Sequence, residues 1–189
     1  MNISLADKVN SACSEYLLKK KMGSKAVLKC GFRYPITICR PDGSIQAEWD
    51  LFNLMPAAAR VYMMTSSLAA AAQFSSFYIG AYGNARTPQD TDTSADLPGY
   101  GEITTFSEGS RVLWDKGNIQ GTMYDSSASP AVLTATVANT VVRGVFMSTS
   151  VTFGSVSGVL MSAVLAPTPE TIQPGSTLRI PASILLESA

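Results

Sequence analysis

Two periodicities divide the chain. Over residues 3–22, Leu5, Val9, Ala12 and Tyr16 recur at steps of three or four, with Lys19 continuing the series, which predicts an amphipathic helix stopped by Gly23-Ser24. From Ala26 the period shortens to two and β-branched residues take over, so 26–30 and 34–40 read as strand. Pro41-Asp42-Gly43 then supplies a fixed φ followed by a residue free to take positive φ, which predicts a hairpin into 44–49. Helical spacing returns after Asn53, a candidate cap, and Pro56, which suits an early helical position. Val61, Met64, Leu68 and Ala72 fall on one face of that helix, and this face is expected to cover an edge or end of a sheet, with Met63-Met64 filling core.

Strand character resumes over 74–82, and a loop-like stretch of about 20 residues follows, a length that in a compact domain carries function or contacts a partner. Beyond it, alternating runs at 102–107, 111–114, 119–124, 131–137, 141–148, 158–164 and 177–184 are separated by turn residues at the spacing of an all-β sandwich. No period of about 20 to 50 residues repeats, which argues against a propeller or solenoid. The expected architecture is mainly β: a sandwich body over 26–189 with one helix, preceded by a helical or extended arm over 1–25.

Composition sharpens this picture. At 189 residues the chain fits one domain, and only 15% of it is charged against about 25% in soluble domains, so its surface has few charges to hold neighbours apart. That balance favours an assembled protein. Net charge is zero but unevenly spread: eight Lys/Arg against Asp7 and Glu15 give residues 1–40 a charge of +6 and leave the body at −6. Lys19, Lys20, Lys21 and Lys25 are therefore candidate docking residues for an acidic protein surface, with a solvated face as the bland alternative. Nucleic-acid binding is disfavoured, since the cluster is short and has no aromatic platform beside it. The opening residues contain no apolar run of the signal-peptide kind. The stretch 55–72 holds Arg60 and Thr65-Ser66-Ser67 and reads as an alanine-rich soluble helix, not a membrane span.

The chemistry-bearing residues point to no reaction. With no histidine in the chain, Ser/His/Asp and Cys/His nucleophile systems and His-containing zinc sites are excluded. Cys13, Cys30 and Cys39 lack CxxC spacing, leaving free thiols or a Cys30–Cys39 bridge should their strands be neighbours. Gly99-Tyr100-Gly101 lacks the third glycine of a phosphate loop. Asp90, Asp92 and Asp96 offer three carboxylates, either to a cation or to an interface. The EF-hand glycine and terminal Glu are missing, so interface or solvent is the expectation and Asp90, Asp92 and Asp96 are candidate partner-docking residues. Glu102 with Glu108, or Asp96 with Asp115, would serve glycoside cleavage only if the fold brought them within about 5–10 Å. A Ser/Lys dyad would need a buried lysine, and after Lys29 only Lys116 remains. The expectation is a non-enzymatic protein with no cofactor and no metal.

One ordered set of motifs goes further. A strand ending in Cys39-Arg40 with a turn at Asp42-Gly43, Glu48-Trp49 and Asn53-Leu54 ahead of a helix, and Phe77-Tyr78-Ile79-Gly80 come first. Gly99-Tyr100-Gly101-Glu102-Ile103, Phe106-Ser107-Glu108, Arg143-Gly144-Val145-Phe146, Gly158-Val159-Leu160-Met161-Ser162 and Ile172 to Ile180 follow. In order and spacing this series, over roughly residues 34–186, resembles a group of tailed-bacteriophage virion structural proteins. The basic N-terminal extension lies outside the likeness, and Ser176 stands after Gly175 where an acidic residue is commoner. The resemblance implies a jelly-roll-like β-sandwich of the virion, made in the bacterial host cytoplasm. Its expected role is that of a capsid cement or decoration subunit on the outer head surface. The partners implied are the major capsid protein and further copies of the chain in a homo-oligomer. A tail, neck or fibre-attachment subunit is the alternative within the virion, and a carbohydrate-binding or hydrolysing β-sandwich acting on the host surface is the alternative of another class.

Overall fold

The computed structural model describes residues 14–18, 26–53, 55–69, 71–117, 119–120 and 123–188. In chain order the elements are β1 (Ser14–Leu18), β2 (Ala26–Cys39), β3 (Ile45–Phe52), α1 (Ala57–Leu68), β4 (Tyr78–Tyr82), a 3-10 turn (Ser94–Asp96), α2 (Leu97–Tyr100), β5 (Val112–Leu113) and β6 (Ile119–Gln120). They continue with β7 (Met123–Asp125), β8 (Ala131–Thr134), β9 (Thr140–Ser148), β10 (Leu160–Ile172), β11 (Thr177–Ile180) and β12 (Ser183–Ser188). Every pairing among them is antiparallel. The mainly-β fold expected from the strand spacing is the one that forms.

Strand β2 is the spine of an eight-stranded sheet ordered β6-β7-β12-β2-β11-β8, with β1 and β3 also paired to β2. Its first half lies between β1 and β12, since Cys30 faces both Ser14 and Leu186; its second half lies between β3 and β11, since Ile38 faces both Ala47 and Leu178. The turn into β3 forms as its residues dictate, with Gly43 at φ 84 and the Ser44 amide donating to the Asp42 carboxylate at 2.9 Å. The second sheet is four-stranded, β10-β9-β4-β5. Tyr34, Ile36, Trp49 and Leu51 from the first sheet and Ile79, Val145, Met147 and Met161 from the second share one buried core. The Tyr34 and Ser162 hydroxyls hydrogen-bond across it.

Several readings of the sequence need correction. The helix expected over 3–22 is strand at Ser14–Leu18, because those residues find a ladder partner in Ala26–Cys30, and pairing across the sheet outweighs a helical spacing. The remaining positions of that reading, and Lys19, Lys20, Lys21 and Lys25, lie outside the described residues. Cys30 and Cys39 sit nine positions apart on β2, about 30 Å along one strand, so no bridge joins them. Residues 102–107 form isolated bridges instead of a strand, at Tyr82–Glu102 and Phe106–Ala135. Asn53 caps no helix: it is buried, accepts the Phe32 amide at 2.7 Å on its side chain and donates its own amide to Phe32 at 3.1 Å, which closes the end of the β2–β3 ladder.

The outer face of the small sheet is also covered. Phe146 lies over Gly80 on the neighbouring strand, and Tyr82 lies over Gly144, so each missing side chain makes room for a ring laid flat along the sheet. Leu97 and Tyr100, from the long loop, close on those rings together with Leu160 and Ala163. The loop therefore folds back as a clasp on its own sheet.

Candidate interaction surfaces

The clasp bonds all three aspartates within the chain and buries one of them, Asp92. Asp92 is only 3% exposed. One of its oxygens takes Arg86 Nη2 at 2.5 Å, and the other takes the Tyr100 hydroxyl at 2.5 Å and the Gln89 amide at 2.7 Å. Asp96 accepts the Thr93 amide at 2.9 Å as the reciprocal half of a capping box around the 3-10 turn, and it reaches the same Arg86 at 3.2 Å. The Thr93 amide bond is the main reason the Asp96 carboxyl is held below its ordinary range. Asp90 instead binds Arg60 of α1 through both oxygens, at 2.6 and 3.0 Å, and its carbonyl accepts the Ala57 amide at 2.8 Å. The clasp thus holds the start of α1. Asp92 has no face to offer a partner, and Asp96 joins it at Arg86, while Asp90 diverges to α1. Burial raises the Tyr100 phenol, and the Asp92 carboxylate beside it raises it further. Arg86 stacks over the Tyr100 ring at 4.9 Å.

A second buried pair locks the loops at the far end of the small sheet. Arg111, 1% exposed, spends all five N–H donors: Nε and Nη2 on Glu102 at 2.7 and 2.8 Å, and the rest on Ser155 O at 3.0 Å, Ser150 O at 3.1 Å and Ser148 Oγ at 3.4 Å. Glu102 also accepts the Gly154 amide at 2.9 Å. Both oxygens of this carboxylate are thereby committed, and Glu108 is tied to the Thr134 amide at 3.0 Å. Among the described residues, no three potential ligands gather to hold a metal ion.

Helix α1 reverses its expected orientation. Ala59 is buried, and Tyr62 and Met63 pack on the core, with Tyr62 tilted against Phe74 at 5.3 Å and edge-on to Phe77 at 6.4 Å. Val61, Met64 and Leu68 point away from it and are 59%, 55% and 82% exposed. Both faces are apolar, so spacing alone did not say which is inside. The setting is fixed by the Arg60–Asp90 pair and by the Arg60 bond to Met55 O at 2.6 Å, which turn the Tyr62 side inward. Beside the core-facing side lies a cleft of about 260 Å³, lined by rings including Phe32, Tyr62, Phe74, Phe77, Trp114 and Tyr124, with Gln73 and Lys116 as polar members. Trp114 Nε1 donates to Ala182 O at 3.1 Å, and Lys116 lies over Phe77 at 5.4 Å while bonding Ser75 O at 3.1 Å. No described helix is long and apolar enough to cross a membrane.

Sequence reasoning passed over Arg86, Tyr100 and Arg111. The usable signal was composition: in a body with few cations, two arginines placed beside aspartate- or glutamate-bearing loops are natural counter-ions. Comparison with protein-family models, with curated proteins and with solved structures gives no match.

Proposed function

We propose that the chain is a bacteriophage virion structural protein, a capsid cement or decoration subunit that binds the outer head surface and stabilises the shell. The observation that carries this reading is the outward face of α1, an apolar, charge-poor ridge mounted on a body locked by buried ion pairs. The ordered motifs that resemble those of tailed-phage virion proteins supply the context, and a jelly-roll-like kinship belongs to the same proposal. Fully burying a Val, Leu or Met side chain gains about 1.5–3 kcal/mol, so the exposed fractions of Val61, Met64 and Leu68 are worth roughly 3–6 kcal/mol gross. Docking costs about 4–15 kcal/mol in lost freedom. One ridge is therefore insufficient alone, and the subunit holds its place through several contacts at once, to the major capsid protein and to copies of itself. The basic segment with Lys19, Lys20, Lys21 and Lys25 is the second of these contacts, docking on an acidic neighbour.

The test is uptake of purified protein by shells assembled without it. Saturable binding that weakens with added salt is expected, together with its loss when the four lysines become glutamine; full decoration by that variant would remove the arm from the account. A tail or neck position is separated from the head by copy number. The aromatic cleft supports one reading of another class, carbohydrate binding, because the exposed Phe74 and Tyr124 rings, in a cleft that also holds Gln73 and Lys116, suit stacking on sugar faces. Glycan-array binding abolished by Phe74→Ala would favour it.

A further inference from the structure

We propose that the aromatic cleft beside α1 is a binding site for a small aromatic carboxylate, a single ring carrying an acid group on a short chain. The inference does not depend on the virion reading. Rings line the cleft in an unbroken series. Phe74 is tilted against Tyr62 at 5.3 Å, Tyr62 is edge-on to Phe77 at 6.4 Å, and Phe77 and Phe32 are each edge-on to Trp114, at 6.1 and 6.0 Å. A further ring meets faces and edges already set for offset or edge-to-face contact, which adds to the gain from buried area. Two of these rings are also fixed by their polar ends. Trp114 Nε1 donates to Ala182 O at 3.1 Å, and the Tyr62 hydroxyl accepts the Phe74 amide at 2.8 Å.

Volume limits the occupant to one ring. Pockets that enclose a drug-sized ligand measure about 300–1,000 Å³, whereas an apolar cavity of about 150 Å³ takes benzene. At about 260 Å³ the cleft has room for a six-membered ring with a two- or three-carbon chain. The affinity expected of so small a ligand is a dissociation constant on the order of 1 mM.

Charge selects the acid. Arg60, Arg86 and Arg111 are each held by a carboxylate, but Lys116 is not: its ammonium gives one bond to Ser75 O at 3.1 Å and lies 5.4 Å from the centre of the Phe77 ring. Two of its three donors remain. It is the one charged side chain among the lining residues. The two carboxylates on either side of it in the chain are occupied by their own turns, Asp115 by the Gly117 amide at 3.2 Å and Asp125 by the Ser127 amide and hydroxyl at 3.0 and 2.7 Å. The Tyr62 hydroxyl, on the other side of Phe77, also keeps its proton for an acceptor. One ammonium with a hydroxyl balances a single negative charge, which suits a carboxylate, whereas a phosphate calls for more donors. A cationic ligand is repelled, because Lys116 already lies over the ring that would receive it. A neutral one leaves the ammonium without a counter-charge.

Titration of the full chain, labelled with ¹⁵N, by 3-phenylpropionate up to about 10 mM tests this, followed through the backbone amides of Phe74, Phe77 and Lys116 and the Trp114 indole N–H. Saturating shifts at these positions are expected, with 3-phenylpropanamide and phenethylamine binding at least about threefold more weakly than the acid. Lys116→Gln should bring acid and amide to the same affinity, and Phe74→Ala, at an exposed ring, should weaken both. The proposal is overturned if the acid gives no saturating shift, if the shifts fall outside the cleft, if the amide binds as tightly as the acid, or if Lys116→Gln keeps the preference. The acid-against-amide comparison on the unmodified protein stands by itself should a variant fail to fold. Two other occupants are read in the same titration. Maltose shifting these amides where the acid does not would overturn the proposal in favour of carbohydrate binding, and N-acetyl-Gly-Gly-Phe binding where 3-phenylpropionate does not would overturn it in favour of a polypeptide C-terminus.

Discussion

Replacing Glu102 by Gln strips the counter-charge from a guanidinium that has no exposed side-chain surface. Gln keeps the size and one acceptor oxygen, but its amide nitrogen faces Arg111 donors at a position where an oxygen accepted at 2.7 or 2.8 Å. Breaking one member of a buried pair costs about 3–5 kcal/mol, because an uncompensated charge stays behind. For a domain of this size each kcal/mol lowers the melting temperature by about 2–4 °C, so a drop of roughly 6–20 °C is expected. Calorimetry and urea unfolding would both report it. Replacing the pair together, Glu102→Leu with Arg111→Met, is expected to recover part of the loss: no buried charge remains, but the Gly154 amide and the Ser150 and Ser155 carbonyls lose their partners. Arg33 and Asp50 provide the contrast. They bond at 2.7 Å but are half exposed, so Asp50→Asn should cost no more than about 1 kcal/mol. A loss below about 1 kcal/mol for Glu102→Gln would refute the argument that this pair locks the 102–111 and 148–155 segments.

Three further outcomes follow from the packing and the charges. Ser162→Ala should cost about 1–3 kcal/mol in urea unfolding by leaving the buried Tyr34 hydroxyl unpaired, and adding Tyr34→Phe should return part of it. Gly144→Ala would drive a methyl group into the Val164 carbonyl and the Tyr82 ring, so a loss of at least about 2 kcal/mol is expected, far above that of Gly154→Ala, where there is open space and only the positive φ resists. Arg33 holds Asp50, and the Thr93 amide holds Asp96, below the ordinary carboxyl value. Such groups bind protons less readily folded than unfolded, so their stabilisation is present above about pH 4 and is lost as pH falls through the depressed values. Urea midpoints should therefore fall on going from neutral to strongly acid solution, and Asp50→Asn with Asp96→Asn should flatten the trend.

The strands were legible because their signal is local. Alternation and β-branched content marked β8 and β9, and Pro41-Asp42-Gly43 fixed both the turn and the register of the hairpin behind it. Two features were not. Ser14–Leu18 carries a helical spacing whose strand state depends on a partner it meets only on folding. Helix α1 is apolar on two sides, so its rotation is set by Arg60 reaching Asp90, 30 residues away, a contact with no trace in periodicity. The aspartates of the long loop were visible as carboxylates, but their spacing could not say whether a cation, a partner or the chain's own arginines would meet them. For Asp92 the answer lies with Arg86 and Tyr100, 6 and 8 residues away. What sequence did expose was the scarcity of charge, which matches a surface where Val61, Met64 and Leu68 stand uncovered.

The most direct measurement is the number of copies of this chain in purified particles, counted by quantitative mass spectrometry against the major shell protein. The account predicts a fixed ratio at the scale of the shell lattice, hundreds of copies, lost together with particle resistance to heat when the gene is disrupted. Particles that contain none of it, and that assemble and withstand heat equally well without it, would contradict the account.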